Sequence, residues 1–182
     1  MKLKKLIGFL VSACLLTSAT GITAFATSDS GAPEIRVYDK NEALAKTANE
    51  RILLDTWTVS ISPDGSVNEN SNENQRTGDP VLTTFNYYYD GINGNNEPQY
   101  TVKMEAVGTT VIKKTKLQTK AEGLSTWSSN TKTHNSYTAK NSITYSYTKN
   151  PPSNPYVYTK ADITIDDGTV YSIPEHKLTN AQ

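Results

Sequence analysis

A cluster of oxygen-bearing side chains follows three consecutive tyrosines in the segment YYYDGINGNNEP, residues 87–98. Calcium takes such oxygen ligands, and an EF-hand loop needs them at its first, third and fifth positions, with Gly at the sixth and Glu at the twelfth. Counted from Asp90, the third, sixth and twelfth positions hold Ile92, Asn95 and Thr101, which do not fit. The spacing instead predicts a hairpin over Asp90 to Pro98, with an irregular calcium loop as the alternative. We predict no bound metal and no cofactor.

Hydrolytic chemistry needs residue combinations that this sequence does not show. Its two histidines, His134 and His176, have no acidic or histidine neighbour at the spacing of metal ligands. No nucleophile elbow, phosphate loop or H-E-x-x-H stretch occurs. The polar residues around His134 are typical of an exposed loop. We therefore predict no catalytic residues and a non-enzymatic protein; a small secreted hydrolase using a serine near His134 is a further alternative.

Tyrosine is unusually frequent, with 11 Tyr against 3 Phe. Strand alternation places Tyr88 on the face opposite its two tyrosine neighbours, and it places Tyr156 and Tyr158 on the same face as Lys160. Exposed rings flanked by Asn and Lys can stack on the CH groups of sugars while polar side chains bind the hydroxyls. We predict that these four residues bind a ligand. The alternative is that the tyrosines only form stabilising cross-strand pairs.

Lysines follow the same alternation in the strand predicted over residues 111–121. Lys114, Lys116 and Lys120 share one side with Gln118, whereas Val111, Thr115, Leu117 and Thr119 share the other. The three lysines are predicted to contact an anionic cell-surface polymer, a glycan or a lipid surface. Alternatively, they protect an edge strand against aggregation.

The distribution of charge supports an anionic partner for the second half of the chain. Residues 27–98 contain 5 basic and 12 acidic side chains, whereas residues 99–182 contain 10 basic and 6 acidic ones. This asymmetry favours the approach of an anion to the second half. The chain without its first 26 residues carries 15 basic and 18 acidic side chains, and it contains no nucleic-acid recognition motif. We therefore predict no nucleic-acid partner.

The elements that position these residues are mainly strands. One early segment, residues 41–52, has apolar residues every four positions and a capping-box spacing, which predicts a helix. Residues 68–80 lack large apolar side chains and are predicted to form a solvated loop. The remainder alternates every two residues and is interrupted by turn residues such as Asp166-Asp167-Gly168-Thr169. We predict one all-β domain over 27–182, an antiparallel β-sandwich of about seven strands with one short N-terminal helix.

The first 26 residues have the features of a secretory signal peptide. Three lysines precede an apolar run over residues 6–16, and the segment ends in Ala24-Phe25-Ala26. The run is shorter than the roughly 20 residues that a membrane-spanning helix needs, so we expect no stable membrane insertion. The alternative is a lipoprotein signal with Cys14 as the acylated residue. Cys14 is the only cysteine, so the processed chain is predicted to have no disulfide, a pattern that favours a bacterial, Gram-positive style of secretion.

These features together predict a secreted, non-enzymatic binding protein of the bacterial exterior, with a glycan, a surface polymer or another protein as ligand. The segment from Trp127 to Ala139, which includes His134 and Tyr137, is similar to lactococcin 972-type bacteriocins, small secreted β-proteins that contain Tyr and His. The similarity covers about a dozen residues of a longer chain. It implies, as an alternative function, a secreted antagonist of other bacteria.

Processing at the signal peptide is directly testable. In a bacterial host that exports the chain, we expect the secreted protein to begin at Thr27, because the small residues Ala24 and Ala26 suit signal peptidase. N-terminal sequencing and intact mass of the secreted material measure this. An acylated N-terminus at Cys14 would contradict it.

Overall fold

The structure, a computed structural model, describes residues 31–38, 51–69 and 80–180. It is all-β in these ranges, as predicted, with eight strands where about seven were expected. The strands are β1 (Glu34–Tyr38), β2 (Ile52–Ile61), β3 (Val67–Glu69), β4 (Val81–Ile92), β5 (Pro98–Ala121), β6 (Ser128–Lys149), β7 (Val157–Ile165) and β8 (Val170–Leu178).

All strand pairs are antiparallel and belong to one sheet, in the order β1-β6-β5-β4-β2-β3. Strands β7 and β8 branch from this path, because β7 pairs with β5 and β8 pairs with β7. The 24-residue β5 makes this branching possible. Its first part, to Gly108, pairs with β4, and its second part, from Ile112, pairs with β7, while β6 follows it along both parts.

A sharp bend separates the two parts of β5. Between two successive pairs, Val107 with Thr138 and Ile112 with Ser136, β5 advances by more residues than β6 does. Such an excess on one strand is a β-bulge, which bends the strand and increases its twist. Gly108 lies at this bend, where a Cβ atom would come within 2.7 Å of the Thr110 carbonyl oxygen. The bend therefore requires a residue without a side chain.

Two sets of contacts show that the halves of the sheet turn toward each other. Within β6 itself, the Asn130 side-chain amide donates to the Ser142 carbonyl (2.8 Å), and the Asn141 amide donates to the Asn130 carbonyl (2.9 Å). At the end of β8, the His176 ring stacks on Trp57 of β2, with centroids 4.0 Å apart and planes 6° apart. Residues distant along the sheet are thus brought into contact.

The interior that results is rich in tyrosine. Tyr87, Tyr145 and Tyr147 are at most 1% exposed, and the Tyr87 and Tyr145 hydroxyls are 2.8 Å apart. Tyr87 also donates to the Pro155 carbonyl (3.4 Å), and Tyr147 donates to the Glu122 carbonyl (3.2 Å). Each of these hydroxyls therefore has a partner, which removes most of the cost of burying it.

The predicted helix over 41–52 and the predicted loop over 68–80 lie mostly outside the described residues, and their described ends belong to strands. Ile52, the last residue of the predicted helix, is the first residue of β2, and residues 41–50 lie outside the described ranges. The predicted loop over 68–80 begins within β3, and its residues 70–79 are not described. Because the hydrogen-bonded pairing is continuous through one sheet, the division into two packed sheets remains a prediction.

The predicted alternation of β5 needs one correction. Thr115, Leu117 and Thr119 are buried as expected, but Ile112 is fully buried and Val111 is only half-buried. The register shift between Ile112 and Lys114 explains the difference, because an extra residue in a bulge reverses the side to which the preceding residues point.

The bend at Gly108 gives a stability prediction. We expect Gly108→Ala to lower the free energy of unfolding by about 1–3 kcal/mol, because the new methyl group must displace the Thr110 backbone. Urea denaturation followed by circular dichroism measures the change. The control is Lys113→Ala, an exposed position close to the bend, which should change stability by less than about 0.5 kcal/mol. Equal stabilities for the two variants would contradict the steric role of Gly108.

The buried tyrosines predict a loss of stability at alkaline pH. Burial raises the pKa of Tyr100 to about 12 and also raises the pKa of Tyr87, Tyr145 and Tyr147. Above pH ~10 the unfolded chain releases these protons while the folded chain keeps them. The free energy of unfolding must therefore fall as pH rises from about 10 toward 12.

Tyrosinate absorbance and circular dichroism recorded across the same alkaline titration provide the test. We expect part of the tyrosinate signal to appear only as the strand signal is lost. Ionisation of all tyrosines near pH 10, with the fold intact, would show that the cluster is not protected.

Candidate ligand-binding surface

The outer face of β7 carries most of the predicted ligand-binding residues. Along this strand Val157, Thr159, Ala161 and Ile163 are buried, and the residues between them are half-buried. Tyr158 and Lys160 belong to this half-buried set, and Tyr156 continues it at the position before the strand. The face shared by these three residues is therefore the one that the alternation predicted.

Strand pairing brings lysines from both neighbouring strands beside these tyrosines. Lys120 of β5 lies opposite Tyr158, which lies opposite Lys177 of β8. Lys160 lies opposite Gln118 of β5. Residues paired in this way have Cβ atoms about 4.5–5.5 Å apart, so their side chains share one small area.

Aromatic rings and ammonium groups make direct contact in this area. Tyr156 and Tyr158 pack edge to face, with centroids 5.5 Å apart. The Lys177 Nζ is 3.9 Å from the centroid of Tyr156, and the Lys120 Nζ is 5.2 Å from that of Tyr158. These distances are within the range of cation–π attraction, which contributes about 0.5–1 kcal/mol at exposed sites.

The ring of Trp127, the residue directly before β6, lies close to a lysine of β5 and a lysine of β7. The Lys160 Nζ is 4.2 Å from its ring centroid and the Lys120 Nζ is 5.4 Å away. We use the term aromatic–lysine surface for the six residues Trp127, Tyr156, Tyr158, Lys120, Lys160 and Lys177. Trp127 and Lys177 were not predicted as site residues. Lys177 could have been found from the alternation of β8, because the neighbouring apolar Leu178 points inward and Lys177 therefore points outward.

The lysines of this surface are not paired with carboxylates of the described residues. In the described ranges, Lys120, Lys160 and Lys177 form no ion pair with a carboxylate, whereas Lys140 and Lys149 elsewhere on the sheet do. Ammonium groups held near one another without counter-charges repel each other, and an anion bound among them relieves that repulsion. The surface is therefore electrostatically suited to an anionic ligand.

Lys114 and Lys116 extend the same face along β5. Lys114 is exposed and Lys116 is half-buried, and they lie opposite Thr164 and Asp162 of β7. The Asp162 carboxylate accepts a hydrogen bond from the Ser172 hydroxyl (2.8 Å). All three predicted anion-contact lysines thus lie on one side of the same strand.

Tyr88 lies in a different part of the sheet. It pairs with Thr101 in the first part of β5, beyond the bend from Lys120. The Arg51 guanidinium carbon is 4.8 Å from its ring centroid, and the Lys103 Nζ is 5.4 Å away. Arg51 also forms an ion pair with Asp90. The structure therefore does not bring Tyr88 together with Tyr156 and Tyr158.

The segment YYYDGINGNNEP forms the predicted hairpin between β4 and β5, and its polar side chains bond within the protein. The Asn93 Oδ1 accepts from the backbone N–H groups of Asn95 (2.9 Å) and Glu97 (3.0 Å). The Asn93 amide donates to the Glu97 carboxylate (3.0 Å), the Tyr38 hydroxyl (3.1 Å) and the Ser146 hydroxyl (3.1 Å). Asn93 thus holds the turn closed and ties it to β1 and β6.

The two carboxylates of this segment are also engaged. Asp90 pairs with Arg51 and accepts from the Thr101 hydroxyl, while Glu97 accepts from the Tyr38 hydroxyl (3.1 Å). The Arg36 guanidinium lies 3.4 Å from Glu97. Within the described ranges, no three His, Cys, Asp or Glu side chains are grouped so that they could hold a metal ion.

The prediction that His134 lies in an exposed loop is wrong. His134 is a half-buried residue of β6, and its Nε2 is 2.9 Å from the Thr115 hydroxyl. The Asn141 amide donates to the same hydroxyl (3.2 Å). Burial, with a smaller contribution from the Lys132 charge, lowers the pKa of His134. Its polar neighbours stabilise the inner side of the bend.

No protein-family model and no curated protein matches the chain. In the ranges described, the chain has no helix with the length and apolar character that crossing a bilayer would demand.

Proposed function

We propose that this chain is a secreted, non-enzymatic extracellular protein that binds an anionic glycan or cell-surface polymer. The observation that carries the proposal is the convergence of Lys120, Lys160 and Lys177 on three aromatic rings, with no ion-paired carboxylate in the described ranges. Each ammonium group lies over a ring, and this contact restricts the lysine side chain, so it loses less conformational freedom when a ligand binds.

The same geometry favours an anionic ligand over a neutral sugar. A sugar that stacks on an aromatic side chain needs an open ring face. Here an ammonium group lies within 5.5 Å of the centroid of each ring of the aromatic–lysine surface. A ligand with phosphate, sulfate or carboxylate groups meets these charges directly, and hydroxyl groups beside the anion can still contact the tyrosine edges.

The predicted export of the chain would bring the aromatic–lysine surface into contact with anionic polymers outside the cell. The signal peptide predicted over the first 26 residues directs the chain to the outside of the cell, where anionic polymers of the wall and envelope are abundant. The predicted signal peptide and the proposed anion-binding surface together support a surface-polymer ligand.

A double substitution at the centre of the surface tests the proposal. We expect Lys120→Gln/Lys160→Gln to weaken binding to isolated cell-wall fractions and anionic polysaccharides about 30-fold, since each lysine near an anionic surface contributes about 1 kcal/mol. Binding is measured by co-sedimentation and by microarrays of anionic and neutral glycans. Tyr158→Ala should weaken binding as well, because the Lys120 ammonium group loses its cation–π contact with that ring.

Two substitutions outside the surface provide matched controls. Lys140→Gln removes a lysine that pairs with Glu105, and Tyr137→Ala removes a tyrosine that is 58% exposed on β6. Both should bind like the wild type, and thermal melts should show that all variants are folded. Wild-type protein that binds no anionic polymer, or that prefers neutral glycans, would contradict the proposal.

A further inference from the structure

We infer that the aromatic–lysine surface is one end of a linear cationic track for an extended phosphodiester polymer with a polyol backbone. This inference rests on the proposed function and adds the shape and chemical class of the ligand. The track consists of Lys114, Lys116, Lys160 and Lys120.

The spacing of the four lysines follows from strand geometry. Outward residues of a strand repeat every two positions, or about 6.8 Å. On β5 these positions hold Lys114, Lys116, Gln118 and Lys120, so the series of charges would be interrupted at Gln118. Lys160 of β7 lies directly opposite Gln118 and supplies the missing charge. A lysine is therefore present at each of four successive levels, over a length of roughly 20 Å.

One carboxylate, that of Asp162, borders the track without forming an ion pair with its lysines. None of its four lysines forms an ion pair in the described ranges. Asp162 lies opposite Lys116, but its carboxylate accepts from Ser172 on the far side, in β8. On the other flank, β6 places Ser129 opposite Gln118 and Thr133 opposite Lys114, both exposed. The track is thus a row of cations bordered by hydroxyl groups on β6 and by Thr164 and the Asp162 carboxylate on β7.

A repeating anion fits this row better than an isolated one. An isolated anion would be satisfied by Lys120 and Lys160 at Trp127 and would leave Lys114 and Lys116 unused. A polymer whose phosphates are separated by short polyol units has charges at a comparable interval, and its hydroxyls can meet Ser129 and Thr133. Lysine ammonium groups bind phosphate as point charges and tolerate a flexible chain.

A single-stranded nucleic acid fits the track less well. Proteins that bind such strands stack successive bases on open aromatic faces along the groove. Here the aromatic rings are confined to one end of the track, and ammonium groups lie over them. The remaining levels, at Lys114 and Lys116, have no ring beside them on β7, where the paired residues are Thr164 and Asp162.

Synthetic glycerol phosphate oligomers of increasing length test the inference by calorimetry at several salt concentrations. For the wild type, affinity should rise with length until the oligomer covers the track and then level off. The salt dependence of binding should have a slope near −3 in log–log form, because each contacted phosphate of a flexible strand contributes about −0.7.

Lys114→Gln is the decisive variant, because it lies at the end of the track farthest from the aromatic rings. It should weaken binding of long oligomers about fivefold and reduce the slope by about 0.7, one phosphate contact. Binding of the glycerol phosphate dimer, which fits the Lys120 end, should not change. Lys140→Gln, on the other part of the sheet, is the matched control and should bind every oligomer like the wild type.

The outcomes separate the track from the binding function. If Lys114→Gln binds long oligomers like the wild type while Lys120→Gln/Lys160→Gln does not, the track is wrong and the proposed function stands. Equal affinity for short and long oligomers likewise overturns the track. Tighter binding of an oligodeoxythymidylate of matched charge overturns the polyol phosphate class. If the wild type binds none of these oligomers, nor any anionic polymer or wall fraction, both proposals fail.

Discussion

The bend in the β5–β6 hairpin is the constraint on which the rest of this fold depends. One long strand, β5, pairs with β4 before Gly108 and with β7 after Ile112, so a single hairpin organises the whole sheet. The bend is possible because Gly108 has no Cβ and because β5 accommodates extra residues against β6. Without it, β7 and β8 would extend the sheet outward, and Trp57 could not stack on His176.

The bend also explains the tyrosine-rich composition. Where the sheet turns back on itself, tyrosine rings fill the interior while their hydroxyls reach one another or a backbone carbonyl. A phenylalanine core of the same volume would leave the Pro155 and Glu122 carbonyls without these donors. Most of the tyrosines that attract attention in the sequence are therefore structural, and only a few remain for a ligand.

The outer face follows from the inner one. Once Thr115, Leu117 and Thr119 are fixed inside, the alternation of β5 forces Lys116, Gln118 and Lys120 outward. Pairing with β7 then sets Tyr158 and Lys160 beside them, and pairing with β8 adds Lys177. In the described part of the protein none of the lysines of this face forms an ion pair with a carboxylate, which is why it is the strongest candidate for contact with an anion.

The sequence by itself determined the features that depend on local periodicity. The all-β class, the hairpin over Asp90 to Pro98, and the outward positions of Tyr158, Lys160 and Lys120 follow from a two-residue alternation and from turn residues. The alternation predicted Val111 on the wrong side, because a bulge at Ile112 is set by the packing of two strands and leaves no periodic signal in one.

Only the tertiary structure decided which residues meet. Lys160 completes the row interrupted at Gln118, Trp127 receives two lysines, and Tyr88 lies apart, because strand pairing joins residues that are distant along the chain. His134 was expected in a loop because its neighbours are polar, yet it is held in β6 by Thr115, a residue of another strand. Local sequence fixes the face on which a side chain lies, whereas register and the bend fix its neighbours.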